Sequence, residues 1–116
     1  MLEIRFTEKA IIDIEIFIRN YEGSFLQLYS DSGIWSERAI RDMYMKSADE
    51  LREGIISGIV EKLHSNKVLG RKEHNLMSEI DFYIGSRLII VLFSDDYVSN
   101  ARQVESIFID RKPIIF

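Results

Sequence analysis

The sequence predicts an α+β domain in which an N-terminal strand and helices pack on an antiparallel sheet that ends in a three-strand meander. Apolar and charged residues alternate in "LEIRF", which is typical of a half-buried strand. A helical stripe follows at Leu51, Ile55, Ile59 and Leu63. Three apolar runs close the chain: "LMSEIDFYI", "RLIIVLF" and "QVESIFI". A chain of 116 residues can bury one core, so residues 1–116 are expected to form a single domain.

The segment after the first strand fits two patterns. Its isoleucines alternate as in a strand, whereas a second set keeps helical spacing: Ala10, Ile14, Phe17 and Tyr21. The length of the run favours a helix. Thr7 is then the expected N-cap and Gly23 the expected stop, and residues 24–35 are expected to form a loop.

A second helical pattern begins near Ser36. Within it, Ser47 to Glu50 ("SADE") has the form of a capping box, so either a new helix begins at Ser47 or one long helix bends there. The apolar stripe that follows is expected to be core. Gly54 and Gly58 stand four apart on this helix and predict the close approach of another element.

The second half of the chain has the pattern of strands and turns. "HSNKVLGRKEHN" is a polar, basic connection, and Gly85 with Ser86 predicts a tight hairpin turn. "SDDYVSNAR" predicts a longer loop, in which Asp95 and Asp96 are expected to cap the turn and face water. Pro113 is expected to stop the last strand or place it at an edge.

Composition excludes several classes of protein. The chain has no cysteine, so it has no disulfide framework, no thiolate metal site and no cysteine nucleophile, which fits a reducing compartment. His64 and His74 lack the spacing of a helical ligand pair, and no glycine-rich phosphate loop is present, so we expect no metal and no cofactor. The longest apolar run has six residues and no secretory signal is evident. We therefore expect a soluble cytoplasmic protein without a membrane partner.

The charge is unevenly distributed along the chain. The net charge is −4, with 8 basic and 12 acidic residues in 1–64 but 7 of each in 65–116. An anion-binding site therefore belongs in the second half. The basic residues there, with one histidine, are Lys67, Arg71, Lys72, His74, Arg87, Arg102, Arg111 and Lys112. Arginine suits a phosphate because its planar fork donates two parallel hydrogen bonds, although each of these residues alone also fits an ordinary surface charge.

Arg87 is the least expected of these residues, because it heads the most apolar strand of the chain, directly after the Gly-Ser turn. Two interpretations stay open from the residues alone. Arg87 is either a strand-end charge that reaches water or a fork that a rigid sheet holds for an anionic partner.

Two groups of segments carry a resemblance to a known family. "IRFTEKAIIDIEIFI" at the front, and "LGRK", "YIGSRLIIVLFSDD" and "VESIFIDRKPIIF" behind, in the order strand, helices and meander, resemble the RelE/ParE toxin superfamily. The likeness covers most of residues 2–19 and 47–116. It implies a bacterial, cytoplasmic growth inhibitor encoded as the toxin of a type II toxin–antitoxin system and neutralised by an antitoxin.

The resemblance also implies site residues. Arg87 matches an arginine that, in the messenger-cleaving branch, lines the substrate path on the concave face of the sheet, and Arg111 matches a second basic position, so these two are the candidate catalytic residues. The candidate binding residues are Lys67, Arg71, Lys72, Lys112 and Phe116. That branch also uses a tyrosine or histidine at the C-terminus, where this chain has Phe116, which cannot transfer a proton. The general acid or base would then be His74, Tyr83 or Tyr97, or would be absent.

Phe116 and the acidic net charge favour the ParE-like branch, which inhibits DNA gyrase by binding it. The alternatives are a ribosome-dependent messenger RNA endoribonuclease of the RelE type and a non-toxic binding module on the same fold, so enzymatic activity stays open. The implied partners are a cognate antitoxin and either gyrase or the ribosome with its messenger. A homodimer stays open as an alternative. An antitoxin helix or strand is expected to cover the apolar residues Ile114, Ile115 and Phe116.

Overall fold

The computed structural model describes residues 2–30, 33–65, 68–85 and 87–110, without the side chains of 22–25 and 28–30. The elements follow in the order β1 (Glu3–Phe6), α1 (Glu8–Ser30), α2 (Glu37–Leu63), β2 (Lys72–His74), β3 (Met77–Ile84), β4 (Arg87–Asp96) and β5 (Ala101–Ile109). Among the described residues, neither helix contains an apolar stretch of the length and purity needed to cross a lipid bilayer. The predicted α+β class is confirmed: two helices pack on one five-stranded sheet.

The strands of this sheet lie in the order β1-β5-β4-β3-β2. β1 runs parallel to β5, with Glu3 opposite Ala101, and the other neighbours are antiparallel. The prediction of an antiparallel sheet is therefore wrong in one respect, because the sheet is mixed. The meander also has four strands rather than three. Its extra strand, β2, has three exposed polar residues, so no hydrophobic pattern marked it.

Helix α1 is longer than predicted. It continues through Gly23 to Ser30, so the predicted stop is wrong and so is the predicted loop over residues 24–30, whereas residues 33–35 are irregular as predicted. A glycine costs a helix only about 1 kcal/mol relative to alanine, which packing can outweigh. That packing is visible at Tyr21, whose hydroxyl lies 2.6 Å from the Ser47 hydroxyl and whose ring lies 6.2 Å from that of Tyr44 on α2.

Helix α2 begins as predicted and then continues without interruption to Leu63. The Ser36 hydroxyl accepts a hydrogen bond from the Ala39 amide and caps the first turn. Ser47 lies inside the helix, so its capping-box pattern does not mark a helix start. Its hydroxyl contacts α1 instead.

The core lies between the helices and one face of the sheet. On α2, Ile59 is 0% exposed, as predicted for the apolar stripe. On β4, alternate residues meet the helices and are fully buried: Ile89, Val91 and Phe93. The close approach predicted for the two glycines of α2 is confirmed at Gly58, where a Cβ atom would lie 2.8 Å from Ile84 Cδ1, but not at Gly54, which has nothing within 4 Å.

Candidate functional site

Arg87 lies at the start of β4, opposite Ile84 of β3. Its guanidinium carbon lies 5.0 Å from the centroid of the Phe17 ring on α1, and Nη1 donates to the carbonyl of Asp110 at 3.3 Å. The stacking on α1 places the side chain on the face of the sheet that the helices cover. Arg87 is therefore a half-buried cation in contact with an aromatic face, an arrangement typically worth about 0.5–2 kcal/mol.

Arg71 is held at the other end of the sheet. It lies beside the carboxylates of Asp95 (Nη1 to Oδ2, 3.0 Å) and Glu73 (Nε to Oε1, 2.7 Å). Its Nε also donates to the Ser78 hydroxyl at 2.8 Å. Burial works against the charge, but the hydrogen bond to Asp95 and the charges of both carboxylates outweigh it and raise the pKa of Arg71. The charge is thus balanced inside the protein.

Asp95 and Arg102 form a buried pair that the sequence did not identify. They face each other across β4 and β5 at 2.7 Å (Nε to Oδ1) and 3.1 Å (Nη2 to Oδ2), and their side chains are only 4% and 2% exposed. Burial disfavours the charge of Asp95, yet hydrogen bonds from Arg102 and Arg71 lower its pKa below the usual value. The prediction that Asp95 faces water is therefore wrong.

Arg102 also closes the end of α2. Its Nη1 donates to the carbonyl of Leu63 at 2.7 Å, a group that a helix end leaves without an intrahelical partner, and to that of Ser65, just beyond the helix, at 2.8 Å. Asp96, by contrast, behaves as predicted: it accepts hydrogen bonds from the amides of Val98 and Ser99 and so caps the turn.

Lys72 and His74 lie on the face of the sheet that the helices leave open. Lys72 contacts Asp81 at 2.9 Å and Glu79 at 3.5 Å, and His74 Nε2 lies 3.2 Å from Glu79. The hydrogen bond to Asp81, with the charges of both carboxylates, raises the pKa of Lys72, and the same bond lowers the pKa of Asp81. Carboxylates therefore surround the lysine on an exposed surface.

The described basic candidates meet in two pairs, Arg71 with Arg102 at Asp95 and Lys72 with His74 at Glu79, and Arg87 belongs to neither pair. Arg87 and Asp95, the partner of Arg71, stand eight residues apart on β4, roughly 26 Å at about 3.3 Å per residue. Arg87 therefore lies far from the described part of the basic segment, Arg71 and Lys72. Four of the sequence-predicted site residues lie outside the described residues: Lys67, Arg111, Lys112 and Phe116. The same holds for Ile114, Ile115 and the predicted strand stop at Pro113.

The candidate proton-transfer residues lie apart from Arg87. Tyr83 alternates with the buried residues of β3, so it lies on the open face, whereas Arg87 faces α1. Tyr97 is in the turn after β4, where its hydroxyl donates weakly to Asp95 at 3.4 Å. His74 is on β2, beyond β3 from Arg87. No two of these groups share a site in the described part of the chain.

Two shallow grooves follow the edges of the sheet. One, of about 260 Å³, lies between α1 and β5 and is lined by Asp13, Ile16, Phe17, Ile107, Phe108 and Ile109. Phe17, on whose ring Arg87 stacks, forms part of the wall of this groove. The other, of about 310 Å³, lies between the end of α2 and β3 and is lined by Glu61, Lys62, Ser65, Leu69, Ile80, Asp81 and Phe82.

Within the described residues, no group of three or more histidine, aspartate or glutamate side chains is placed to hold a metal ion. Comparison of the chain with protein-family models, with curated proteins and with solved structures finds no match.

Proposed function

We propose that this chain is the toxin of a bacterial type II toxin–antitoxin system, of the RelE/ParE superfamily, and that it inhibits growth in the cytoplasm by binding DNA gyrase. The fold is compatible with that resemblance, since two helices pack on a sheet whose first strand adjoins the last. Arg87 heads β4, the position that the resemblance gives to a functional arginine. These two points support the toxin proposal.

One observation favours binding over cleavage: carboxylates of the same chain neutralise the charges of Arg71 and Lys72. Cleavage of RNA needs several cations around one scissile phosphate and a group that transfers a proton. Here Arg87 lies far from Arg71, and Tyr83 lies on the opposite face of the sheet. This arrangement favours a mechanism in which Arg87 takes part in recognition rather than in proton transfer.

The open face of the sheet is the surface we assign to the antitoxin. Three residues of β4 are half-buried there: Leu88, Ile90 and Leu92. Exposed aromatic residues flank them, with Tyr83 60% and Phe108 58% exposed. Carboxylates border this apolar strip, since Glu79 and Asp81 stand opposite Leu92 and Ile90, and Glu105 accepts from the Ser94 hydroxyl on the same face. An amphipathic helix with basic residues beside its apolar face would match both the shape and the charge.

Induced expression in a bacterial host tests the proposal directly. We expect growth arrest with induction of the DNA-damage response, while bulk messenger RNA stays intact. Arg87→Ala should abolish the arrest, and Arg87→Lys should do the same, because a point charge does not reproduce a planar fork that stacks on Phe17. Arg41→Ala is the matched control: Arg41 is an exposed arginine 3.7 Å from Glu37 on α2, and its loss should leave the arrest unchanged.

A second assay names the target. Purified protein should inhibit supercoiling by gyrase, and the Arg87→Ala variant should not. Loss of messenger RNA without DNA damage would replace gyrase by the messenger-cleaving alternative. Normal growth at high expression of the folded protein would leave only the non-toxic binding module.

A further inference from the structure

Strand β5 is longer than β1, the strand that pairs with its outer edge. β1 pairs only with Ala101–Val104, and among the described residues no strand lies beside the rest of β5 on that side. The amide of Asp110 donates to Leu88 on the β4 side. Because successive residues of a strand direct their backbone groups to opposite sides, those of Ile107 and Ile109 point to the open side. Such an edge is a template for another strand.

Side chains of Thr7 and of α1, which follows it, occupy part of this edge. The Thr7 hydroxyl donates to the carbonyl of Glu105 at 3.2 Å, and Asp13 Oδ2 accepts from the amide of Ile107 at 2.9 Å. The Asp13 carboxylate also accepts from Lys9 Nζ at 2.9 Å and from the Ser106 hydroxyl at 3.2 Å. Burial opposes its charge, but these bonds lower the pKa of Asp13. The carboxylate therefore takes the place of a carbonyl from a sixth strand.

The surface around this edge matches a second copy of the chain. Exposed apolar side chains flank the edge on both faces: Phe108, on the open face, is 58% exposed, and Ile12 and Ile16, on α1, are 46% and 43% exposed. An occupant must supply a strand at the sheet edge and an apolar helix face in the layer above it. A copy related by a twofold axis perpendicular to the sheet supplies both from the same residues.

The register of this pairing follows from the backbone directions. Ile107 of one copy would exchange hydrogen bonds with Ile109 of the other, which centres the axis on Phe108. The two Phe108 side chains would then lie directly opposite each other, with Cβ atoms about 5 Å apart.

We propose that the Asp13 carboxylate closes the β5 edge against a second copy of this chain, and that its removal converts β5 into a twofold interface centred on Phe108. The Ile107 amide donates to Asp13 within one chain, and without that carboxylate it can donate to a strand of the second copy. The inference holds whichever activity the chain has.

The test measures the mass of the full chain by sedimentation velocity over a wide concentration range. The wild-type protein should be monomeric, and Asp13→Ala should dimerise with a dissociation constant at least about tenfold lower, because two inter-strand hydrogen bonds become available. Asp13→Asn keeps an oxygen that accepts from Ile107, and Lys9→Ala keeps the carboxylate, so both should stay monomeric. Since the chain has no cysteine, Phe108→Cys added to Asp13→Ala should give one oxidised cross-link between copies.

Phe108→Lys added to Asp13→Ala locates the interface, because like charges opposite each other on the axis should restore the monomer. The proposal would be overturned by a dimer that survives this change, by a monomeric Asp13→Ala protein, or by a Phe108→Cys protein that cross-links between copies while Asp13 is intact. Should Asp13→Ala fail to fold, amide exchange in the wild-type protein decides instead. The Ile107 amide should exchange slowly and the Ile109 amide fast, whereas equal rates would refute a selective closure by Asp13.

Discussion

Replacing Arg102 with methionine removes the most buried charge of the described residues while keeping a side chain of similar length. Arg102 is 1% exposed, binds Asp95 through two nitrogens and donates to two carbonyls at the end of α2. The change leaves the buried carboxylate of Asp95 with Arg71 alone and the carbonyls of Leu63 and Ser65 without this donor. Breaking a buried pair of this kind costs about 3–5 kcal/mol.

That loss is a large part of the roughly 5–15 kcal/mol by which domains of this size are stable. Urea unfolding at neutral pH, followed by circular dichroism, measures it as a shift of the midpoint at constant slope. Arg41→Met is the control, since the Arg41–Glu37 contact is exposed and 3.7 Å long, and its loss should change stability by no more than about 0.5 kcal/mol.

The double change Arg102→Met with Asp95→Leu checks the cause. It should cost less than the two single changes together, because neither charge is then buried without its partner. A loss below about 1 kcal/mol for Arg102→Met, or strictly additive losses, would refute the view that this pair holds the end of α2 to the sheet.

Four further outcomes are expected. Because the pKa of Asp95 is lowered by folding, its contribution to stability is present above the pKa of the unfolded chain and is lost as pH falls through the folded value, so acid titration of wild type against Asp95→Asn should converge at low pH. Ile59→Ala should cost about 2–5 kcal/mol in the same urea assay, since the side chain is fully buried. Gly54→Ala should increase the free energy of unfolding by about 0.5–1 kcal/mol, seen as a higher thermal midpoint. Gly58→Ala should increase it less or decrease it, because the added Cβ meets Ile84. Arg87→Ala should cost about 0.5–2 kcal/mol in urea unfolding, which leaves the protein folded, so that a lost growth arrest cannot be attributed to unfolding.

Strong periodic patterns predicted most of the fold. The α2 stripe and the three long strands were found because apolar spacing reports burial directly. Local signals failed where distant contacts outweighed them. Gly23 predicted a stop, but packing of Tyr21 against α2 keeps α1 helical, and the Ser47 capping pattern serves an interhelical contact. The parallel pairing of β1 with β5 leaves no local trace in either strand.

The site was harder to predict because charge pairing depends on register. Asp95 and Arg102 flank the turn between β4 and β5 at positions that antiparallel pairing brings opposite each other. Counting outward from a turn at residues 97–100 would have matched them, and the ion pair could then have been predicted. No such signal existed for the contact of Arg71 with Asp95 or of Arg87 with Phe17, since each joins elements distant in sequence.

The parallel pairing of β1 with β5 sets the order in which the chain can assemble. The amide of Thr7 binds the carbonyl of Val104, so this contact closes a loop of almost the whole described chain. During synthesis, α1 and α2 can meet while β5 is still inside the ribosome, but β1 must wait for it. Closure over such a separation is entropically costly and slow compared with helix pairing. A nascent chain therefore exposes its helices long before its sheet is complete. A partner that recognises the complete sheet can bind only after β5 has been synthesised.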